Sequence, residues 1–108
     1  MASLASFVNH YSYDELDIDV ASTEVKRNGH LLRMTHLEFQ LLRYFLEHRG
    51  TALSRDELSR EVWGYRSTLI ITRTVDQHVW QLRQKIERDP KNPQLITTIP
   101  GVGYKFVE

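Results

Sequence analysis

The sequence predicts an α+β domain in which a small N-terminal antiparallel sheet is followed by three helices and a C-terminal β-hairpin. Three observations carry this prediction. Residues 16–20 alternate apolar and acidic side chains, the period of a half-buried strand. Two Ser/Thr-x-x-Glu motifs each precede a run of apolar residues at helical spacing. The dipeptides Asn28-Gly29 and Pro100-Gly101 are typical of tight turns.

Composition limits the possible protein classes. The chain has 108 residues, 41% apolar and 26% charged, so we expect one globular domain with a single core. The absence of cysteine excludes disulfide frameworks, thiolate zinc sites and cysteine nucleophiles. The sequence has no run of about 18 apolar residues, so we predict no membrane span. The N-terminus lacks the pattern of a signal peptide. We interpret residues 1–11 as a linker or a cloning-derived end and residues 12–108 as the domain.

Charge is unevenly distributed along the chain. The 14 Lys and Arg residues balance the 14 Asp and Glu residues, which taken alone argues against a nucleic-acid partner. However, residues 1–24 carry only acidic charges, and residues 25–108 carry 14 basic and 9 acidic residues, a net charge of +5. The basic remainder can present a locally positive face to an anionic partner.

Turn signals define the two predicted hairpins. Residues 24–27 and 31–34 flank Asn28-Gly29, which favours a hairpin because both turn residues tolerate positive φ. Near the C-terminus, residues 95–99 and 104–107 form the second predicted hairpin, with residues 100–103 at its tip.

The first predicted helix begins at a capping box made by Thr35 and Glu38. It continues to about His48, and Gly50 is the expected C′ residue. Apolar residues occur around much of its circumference, so we expect it to be the central helix of the core.

Two shorter helices follow. Ser54 and Glu57 form a second capping box that opens a helix ending at Trp63, and a third helix is predicted from residue 73 to residue 88. Four apolar residues of the third helix fall within a stripe about 60° wide, which we expect to face the core. They are Val75, Val79, Leu82 and Ile86.

The opposite face of the third helix is unusual for a solvated surface because it carries no acidic residue. Gln can bind adenine through its donor and acceptor together, Arg can bind guanine or phosphate, and an outward Trp is unfavourable unless something covers it. A solvated face with its Trp packed sideways on a neighbour is the simpler alternative. A short helix, a loop, this helix and a hairpin nevertheless follow the order of a helix-turn-helix with a wing. The face comprises Arg73, Gln77, Trp80, Gln81, Gln84 and Arg88.

Six stretches resemble the C-terminal effector domain of OmpR/PhoB-type response regulators, a winged-helix family, in that family's order and spacing. The resemblance covers about residues 12–107. It implies a winged helix-turn-helix fold, with residues 73–88 in the DNA major groove and a wing at residues 95–107 on the backbone or in the minor groove. The six stretches are Met34-Thr35 with Leu37–Leu42, Leu53–Leu58, Val62-Trp63-Gly64, Arg73–Val79, Leu82–Ile86 and Gly101–Phe106.

The resemblance also implies roles for individual residues. The residues at base-facing positions are Gln77, Trp80, Gln81 and Gln84. The residues at positions used for phosphate and groove-edge contacts are Trp63, Arg73, Thr74, His78, Arg83 and Tyr104.

Several of these residues have a structural alternative. Trp63 can be a core residue, and Tyr104 can pack the hairpin instead of contacting phosphate. Asp76 would repel phosphate, so we expect it to pair with an arginine or to act at the helix N-terminus. We expect no metal at His78, because no second ligand lies four residues away.

Two departures from the family pattern affect DNA binding. Many relatives carry Arg just before the Gly-x-Gly of the wing, where this chain has Pro100, which argues against insertion into the minor groove. Many relatives also carry Arg near Trp80 and Gln81. We therefore expect weaker non-specific binding and a shallower salt dependence. Trp80 is expected to contact a sugar, a thymine methyl or a second protomer.

The resemblance implies several partners: double-stranded DNA with direct repeats, a second protomer on that DNA, and a preceding receiver domain in the full-length protein. It further implies a contact with RNA polymerase through loop 64–72, in which residues 69–71 are either a polymerase-facing patch or an anchor on the core, with the anchor favoured for Ile71. It implies a cytoplasmic bacterial protein with no cofactor, metal or membrane partner.

Neither a glycine-rich phosphate loop nor a nucleophile elbow is present, so we predict that the protein is not an enzyme. The competing interpretation is a winged helix that binds protein instead of DNA, because fold alone does not determine function.

Overall fold

A computed structural model of the chain describes residues 9–64 and 72–108, without the side chains of residues 64, 72 and 73. The chain divides into two compact units, residues 1–34 and 35–108. In the described ranges, no helix is long and apolar enough to cross a membrane.

The first unit is a four-stranded antiparallel sheet in the order β1-β2-β3-β4. The predicted alternation in β2 is confirmed, since Leu16 and Ile18 are buried whereas Asp17 is exposed. Ile18 lies opposite the buried Val25 of β3. The strands are β1 (His10–Tyr13), β2 (Leu16–Asp19), β3 (Glu24–Arg27) and β4 (His30–Leu31).

The predicted Asn28-Gly29 hairpin is confirmed, with φ of 53° at Asn28 and 81° at Gly29. Its second strand differs from the predicted residues 31–34. A two-residue turn places His30 directly opposite Arg27, so β4 begins one residue earlier than predicted and is only two residues long. At the other end of the sheet, β1 already includes residues 10 and 11 of the predicted linker.

In its described residues, the second unit contains three helices and a three-stranded sheet in the order β5-β7-β6. Its elements are α1 (His36–Glu47), β5 (Ala52–Ser54), α2 (Arg55–Leu58), a π-helical segment (Ser59–Gly64), α3 (Thr72–Ile86), β6 (Ile96–Ile99) and β7 (Gly103–Phe106).

The capping box at the start of α1 is confirmed. The Thr35 hydroxyl accepts from the Glu38 amide at 3.1 Å, and the Glu38 carboxylate accepts from the Thr35 amide at 2.9 Å. At the other end, His48 is the C-cap, so Arg49 occupies the C′ position and Gly50 lies one residue beyond the position predicted for it. Gly50 has a φ of 78°, and its amide donates to the Phe106 carbonyl, which turns the chain toward the sheet.

The second predicted helix is regular only over its first turn. Ser54 caps α2 by accepting from the Glu57 amide at 3.0 Å. In the predicted capping box, the Glu57 carboxylate would accept from the Ser54 amide. It instead accepts from the Tyr44 hydroxyl at 2.5 Å. Burial and this carboxylate raise the pKa of Tyr44 to about 12. The π-helical segment then continues the chain to Gly64.

The core of the second unit forms between α1, α2, α3 and the sheet. The predicted stripe of α3 is confirmed, because all four of its apolar residues are buried. Among the described residues of this unit, the other buried apolar side chains come from α1, α2 and all three strands: Phe39, Leu41, Leu42, Phe45, Leu46, Leu53, Leu58, Ile96, Tyr104 and Phe106.

β5 was not predicted, and it makes the wing part of a larger sheet. It pairs with β7, with Leu53 opposite Tyr104. This pairing requires glycine at position 103, because a Cβ there would lie 2.1 Å from the Leu53 carbonyl oxygen.

α3 ends at Ile86, two residues before its predicted end, and the buried Glu87 follows it. The Glu87 carboxylate accepts hydrogen bonds from the amides of Gln94, Leu95 and Ile96, at 2.7 to 3.1 Å. Glu87 thereby holds the end of the helix beside the start of β6.

Candidate nucleic-acid interface

The outward face of α3 is exposed as predicted. Trp80 is 60% exposed, Gln77 and Gln84 are exposed, and Gln81 is half-buried. Amide side chains and an indole are therefore presented together on one helix. Arg88 is also exposed but lies beyond the end of α3, and the Arg73 side chain lies outside the described residues.

One flank of this face is a small aromatic contact. Trp63 and His78 are both half-buried, with ring centroids 5.0 Å apart in an edge-to-face arrangement. His78 Nδ1 donates to the Thr74 carbonyl at 2.9 Å, since a carbonyl oxygen can only accept. The ring nitrogen left for a phosphate is therefore Nε2. Three of the predicted phosphate-contacting residues thus lie together on this flank.

The other flank connects α3 to the wing through Arg83. Its Nε and Nη2 atoms donate to the Ile96 carbonyl at 3.1 and 2.8 Å, and Nη2 also donates to the Thr98 hydroxyl at 2.9 Å. Burial lowers the pKa of Arg83, while nearby Tyr104 and Glu87 act in the opposite direction. The guanidinium remains charged under any ordinary condition. Two of its nitrogens thus already donate hydrogen bonds to β6.

Tyr104 lies next to Arg83 and is only 5% exposed. Its hydroxyl donates to Asp76 Oδ1 at 2.6 Å. The guanidinium carbons of Arg55 and Arg83 lie 5.2 and 5.3 Å from its ring centroid, within the range of cation–π attraction. Burial raises the pKa of Tyr104, and the hydrogen bond and charge of Asp76 raise it further.

The predicted pairing of Asp76 with an arginine is confirmed. Asp76 Oδ1 accepts from Arg55 Nε at 2.6 Å, and this hydrogen bond raises the pKa of Arg55. Asp76, Arg55, Tyr104 and Arg83 together form a connected group, which we call the Asp76 cluster.

Sequence reasoning missed two members of this region. Arg55 occurs in one of the family-like stretches, but nothing in the local pattern identifies it as the partner of Asp76, 21 residues later. Glu87 was also missed. Its signal is an acidic residue at a helix C-terminus, where the helix dipole is unfavourable to a carboxylate.

The tip of the wing is exposed and uncharged. The Val102 amide donates to the Ile99 carbonyl at 2.9 Å, and Gly101 has a φ of 79°, as expected for a turn with proline in its second position. Pro100, Gly101 and Val102 are all exposed. The polymerase-facing or anchoring role of residues 69–71 lies outside the described residues. In the part of the chain that is described, no group of three or more His, Asp or Glu side chains is arranged to hold a metal.

Comparisons with known proteins bear on the family of the chain. The family described as "Transcriptional regulatory protein, C terminal" matches residues 29–106. The DNA-binding response regulator MtrA of Mycobacterium leprae is 45% identical over 94 residues, which are 87% of this chain and 41% of MtrA. The chain spans about two fifths of the length of the curated relatives it matches.

Two solved structures show the same fold. The response regulator DrrB of Thermotoga maritima, an OmpR/PhoB homologue, has a TM-score of 0.86 at 29% identity, covering 98% of this chain and 48% of DrrB. The RstA DNA-binding domain of Klebsiella pneumoniae, solved with the RstA box, has a TM-score of 0.80 at 26% identity, covering 93% of this chain and 98% of that one. The chain therefore belongs to the family of C-terminal domains of transcriptional regulatory proteins and is an effector domain of the OmpR/PhoB type.

Proposed function

We propose that this domain recognises a specific DNA operator by placing α3 in the major groove. As an OmpR/PhoB-type effector domain it binds DNA and regulates transcription, so the proposal concerns how it does so. The observation that supports it most directly is the outward face of α3, where three glutamines surround an exposed Trp80.

The glutamines are assigned to base edges. A Gln side chain can bind adenine N6 and N7 together, and Gln77, Gln81 and Gln84 lie on one helix face at spacings of three and four residues. We assign Trp80 to a thymine methyl, because this methyl is the main apolar group in the major groove. A sugar or a second protomer is the alternative contact for its indole.

The remaining residues are assigned to the DNA backbone. Trp63, Thr74 and His78 form the set on one flank of the base-facing residues, and Arg73 directly precedes Thr74 in the chain. Arg83 and Tyr104 form the set beside the wing, and both already make hydrogen bonds within the protein. The Tyr104 hydroxyl has one hydrogen, so a phosphate contact by it requires that hydrogen to leave Asp76.

Further partners follow from the family. We propose a receiver domain in the full-length protein, whose phosphorylation brings two effector domains together and so raises their local concentration on DNA. Two copies would then bind a direct repeat with half-sites about one helical turn apart. We also propose a contact between loop 64–72 and RNA polymerase, and a location in the bacterial cytoplasm.

The test is selection of binding sites from random duplex DNA, collected at low and at moderate salt. Enrichment of a direct repeat that persists at moderate salt would support the proposal. Binding that shows no enrichment and disappears as salt rises would contradict it, because it would be purely electrostatic.

A substitution pair then tests the backbone contacts. Arg73→Ala is expected to weaken binding to all sequences similarly and to reduce the salt slope by about one. Arg43→Ala is the matched control, because Arg43 is an exposed arginine of α1 that pairs with Glu47 at 3.2 Å. Equal effects of the two substitutions would contradict the assignment of Arg73.

Recognition of a protein is the second candidate function, and the exposure of Trp80 favours it. An exposed aromatic residue is a common anchor in protein interfaces, and the uncharged tip at Pro100 is poorly suited to DNA. If this candidate is correct, Trp80→Ala abolishes partner binding while Arg73→Ala leaves it unchanged.

A further inference from the structure

We propose that Asp76 is a positioning residue for DNA binding, which fixes the wing and α2 relative to the base-facing side of α3. This inference rests on the proposed function, since it concerns how the DNA-contacting elements are held. Asp76 itself is not assigned to any DNA contact.

The first observation is that three elements meet at one atom. Asp76 Oδ1 accepts from Arg55 Nε at 2.6 Å and from the Tyr104 hydroxyl at 2.6 Å. Arg55 belongs to α2, Asp76 to α3 and Tyr104 to β7. Any rotation of α3 or displacement of the wing must therefore change these two bonds.

The second observation is a parallel connection two helical turns further along. Arg83 lies seven residues after Asp76, on nearly the same face of α3. It donates to the Ile96 carbonyl and the Thr98 hydroxyl, so it holds β6 just as Asp76 holds β7. The Tyr104 ring lies near both guanidinium groups and joins the two connections.

The third observation concerns charge. The Asp76 side chain is 44% exposed, on the same helix as the residues assigned to bases. A carboxylate so placed repels the DNA backbone, so its electrostatic effect alone weakens binding. A bystander carboxylate and a positioning carboxylate therefore predict opposite outcomes when the charge is removed.

The experiment is Asp76→Asn, with affinity measured for the selected operator and for an unrelated duplex of equal length. We expect operator affinity to fall by about tenfold, within the range by which a coupled residue alters binding. Affinity for the unrelated duplex is expected to stay the same or rise, because one negative charge is lost. The specificity ratio, operator affinity divided by affinity for the unrelated duplex, should therefore fall. General destabilisation would lower both affinities and leave this ratio unchanged.

Asp56→Asn is the matched control. Asp56 is an exposed aspartate next to Arg55 in the first turn of α2, so its removal changes the net charge equally. It is expected to leave the specificity ratio unchanged. An Asp76→Asn variant that is folded and binds the operator as tightly as the unsubstituted protein, or more tightly, overturns the proposal.

A second variant keeps the test decisive if Asp76→Asn fails to fold. Arg55→Lys keeps the positive charge but removes the Nε–H that donates to Asp76 Oδ1, and Arg55 is assigned to no DNA contact. It should lower operator affinity without lowering affinity for the unrelated duplex, whereas an unchanged ratio of the two affinities would overturn the positioning role. If the unsubstituted protein selects no operator, the proposed function fails instead, which is a distinguishable result.

Discussion

Trp80 and Asp76 lie four residues apart on α3, yet their side chains are in very different situations. Trp80 is 60% exposed, whereas the carboxylate of Asp76 is held by Arg55 and Tyr104. The same contrast separates the exposed Gln77 and Gln84 from the bonded flank of the helix. The exposed face of the helix is available to a ligand, whereas the flank next to it is held by hydrogen bonds to α2 and the wing.

The contrast shows that two kinds of residue can share the positions associated with DNA binding. Substituting an exposed residue should change affinity without changing the free energy of unfolding. Substituting a residue that holds the wing in place should mainly lower the free energy of unfolding. The predictions below test this separation.

The largest effect is expected at Gly103, where β7 of the wing pairs with β5. Gly103→Ala places a Cβ 2.1 Å from the Leu53 carbonyl oxygen, so β5 and β7 must separate. We expect the free energy of unfolding to fall by about 3 kcal/mol or more, measured by urea denaturation. Gly101→Ala is the control: it also has positive φ but no atom within 4 Å, so it should cost about 1 kcal/mol. Equal losses would show that the contact with Leu53 is unimportant.

The next effect is expected at Glu87. Glu87→Gln leaves three backbone amides facing a side chain with only one acceptor oxygen and no charge. We expect a loss of about 2 kcal/mol in the free energy of unfolding. Glu47→Gln, at an exposed pair with Arg43, should cost less than about 0.5 kcal/mol. A loss at Glu87 as small as that at Glu47 would contradict the assigned role.

On the exposed side, Gln77→Ala should change binding alone. We expect a loss of about 1–2 kcal/mol in binding to the selected operator, with the free energy of unfolding unchanged within about 0.5 kcal/mol. Gln40→Ala on α1 is the control, and it should leave operator affinity unchanged. An unfolding effect at Gln77 comparable to that at Glu87 would break the separation between the two sides.

A pH effect is expected at Glu38, which is buried and bonded to Lys85 Nζ at 2.5 Å. Burial raises the pKa of Glu38, but the hydrogen bonds from Lys85 and Thr35 and the charge of Lys85 outweigh it, so the net pKa is lowered. The ionised form therefore stabilises the fold above the unfolded pKa of about 4.3, and that contribution is lost as pH falls through the lower folded pKa.

Urea denaturation from about pH 6 down to about pH 3 tests this linkage. The difference in the free energy of unfolding between the unsubstituted protein and Glu38→Gln should shrink as pH falls. A difference that stays constant across the range would contradict the lowered pKa.

The smallest effect is expected at Trp80. Replacing the contacted thymine by uracil removes one methyl and should weaken operator binding by about 0.8 kcal/mol. The replacement should have no effect on Trp80→Ala if the indole contacts that methyl. An equal effect on both proteins would favour a sugar or a second protomer as the contact.

Much of the helical architecture could be predicted from the sequence because its signals are local. The Thr35–Glu38 box and the apolar stripe of α3 depend on spacings of three and four residues, and the structure agrees with both. The Asn28-Gly29 turn is equally local. The exposure of Gln77, Trp80 and Gln84 followed from the same helical period.

The interactions that were not predicted connect residues distant in sequence. β5 has only three residues, and it is a strand because β7 lies beside it. Tyr104 and Asp76 are 28 residues apart, and Arg83 and Ile96 are 13 apart. Such pairs depend on how α3 and the wing pack, which no local period encodes.

The bonds made by Glu87 have a consequence for the loop that follows. Its carboxylate holds the amides at 94–96 beside the end of α3, so the loop of residues 88–93 starts at Glu87 and returns to its side chain. A change in the length of that loop should therefore not move the wing. A peptide tag or fluorescent label inserted between Lys91 and Asn92, both exposed, would leave the geometry of the wing intact and could report the approach of a ligand.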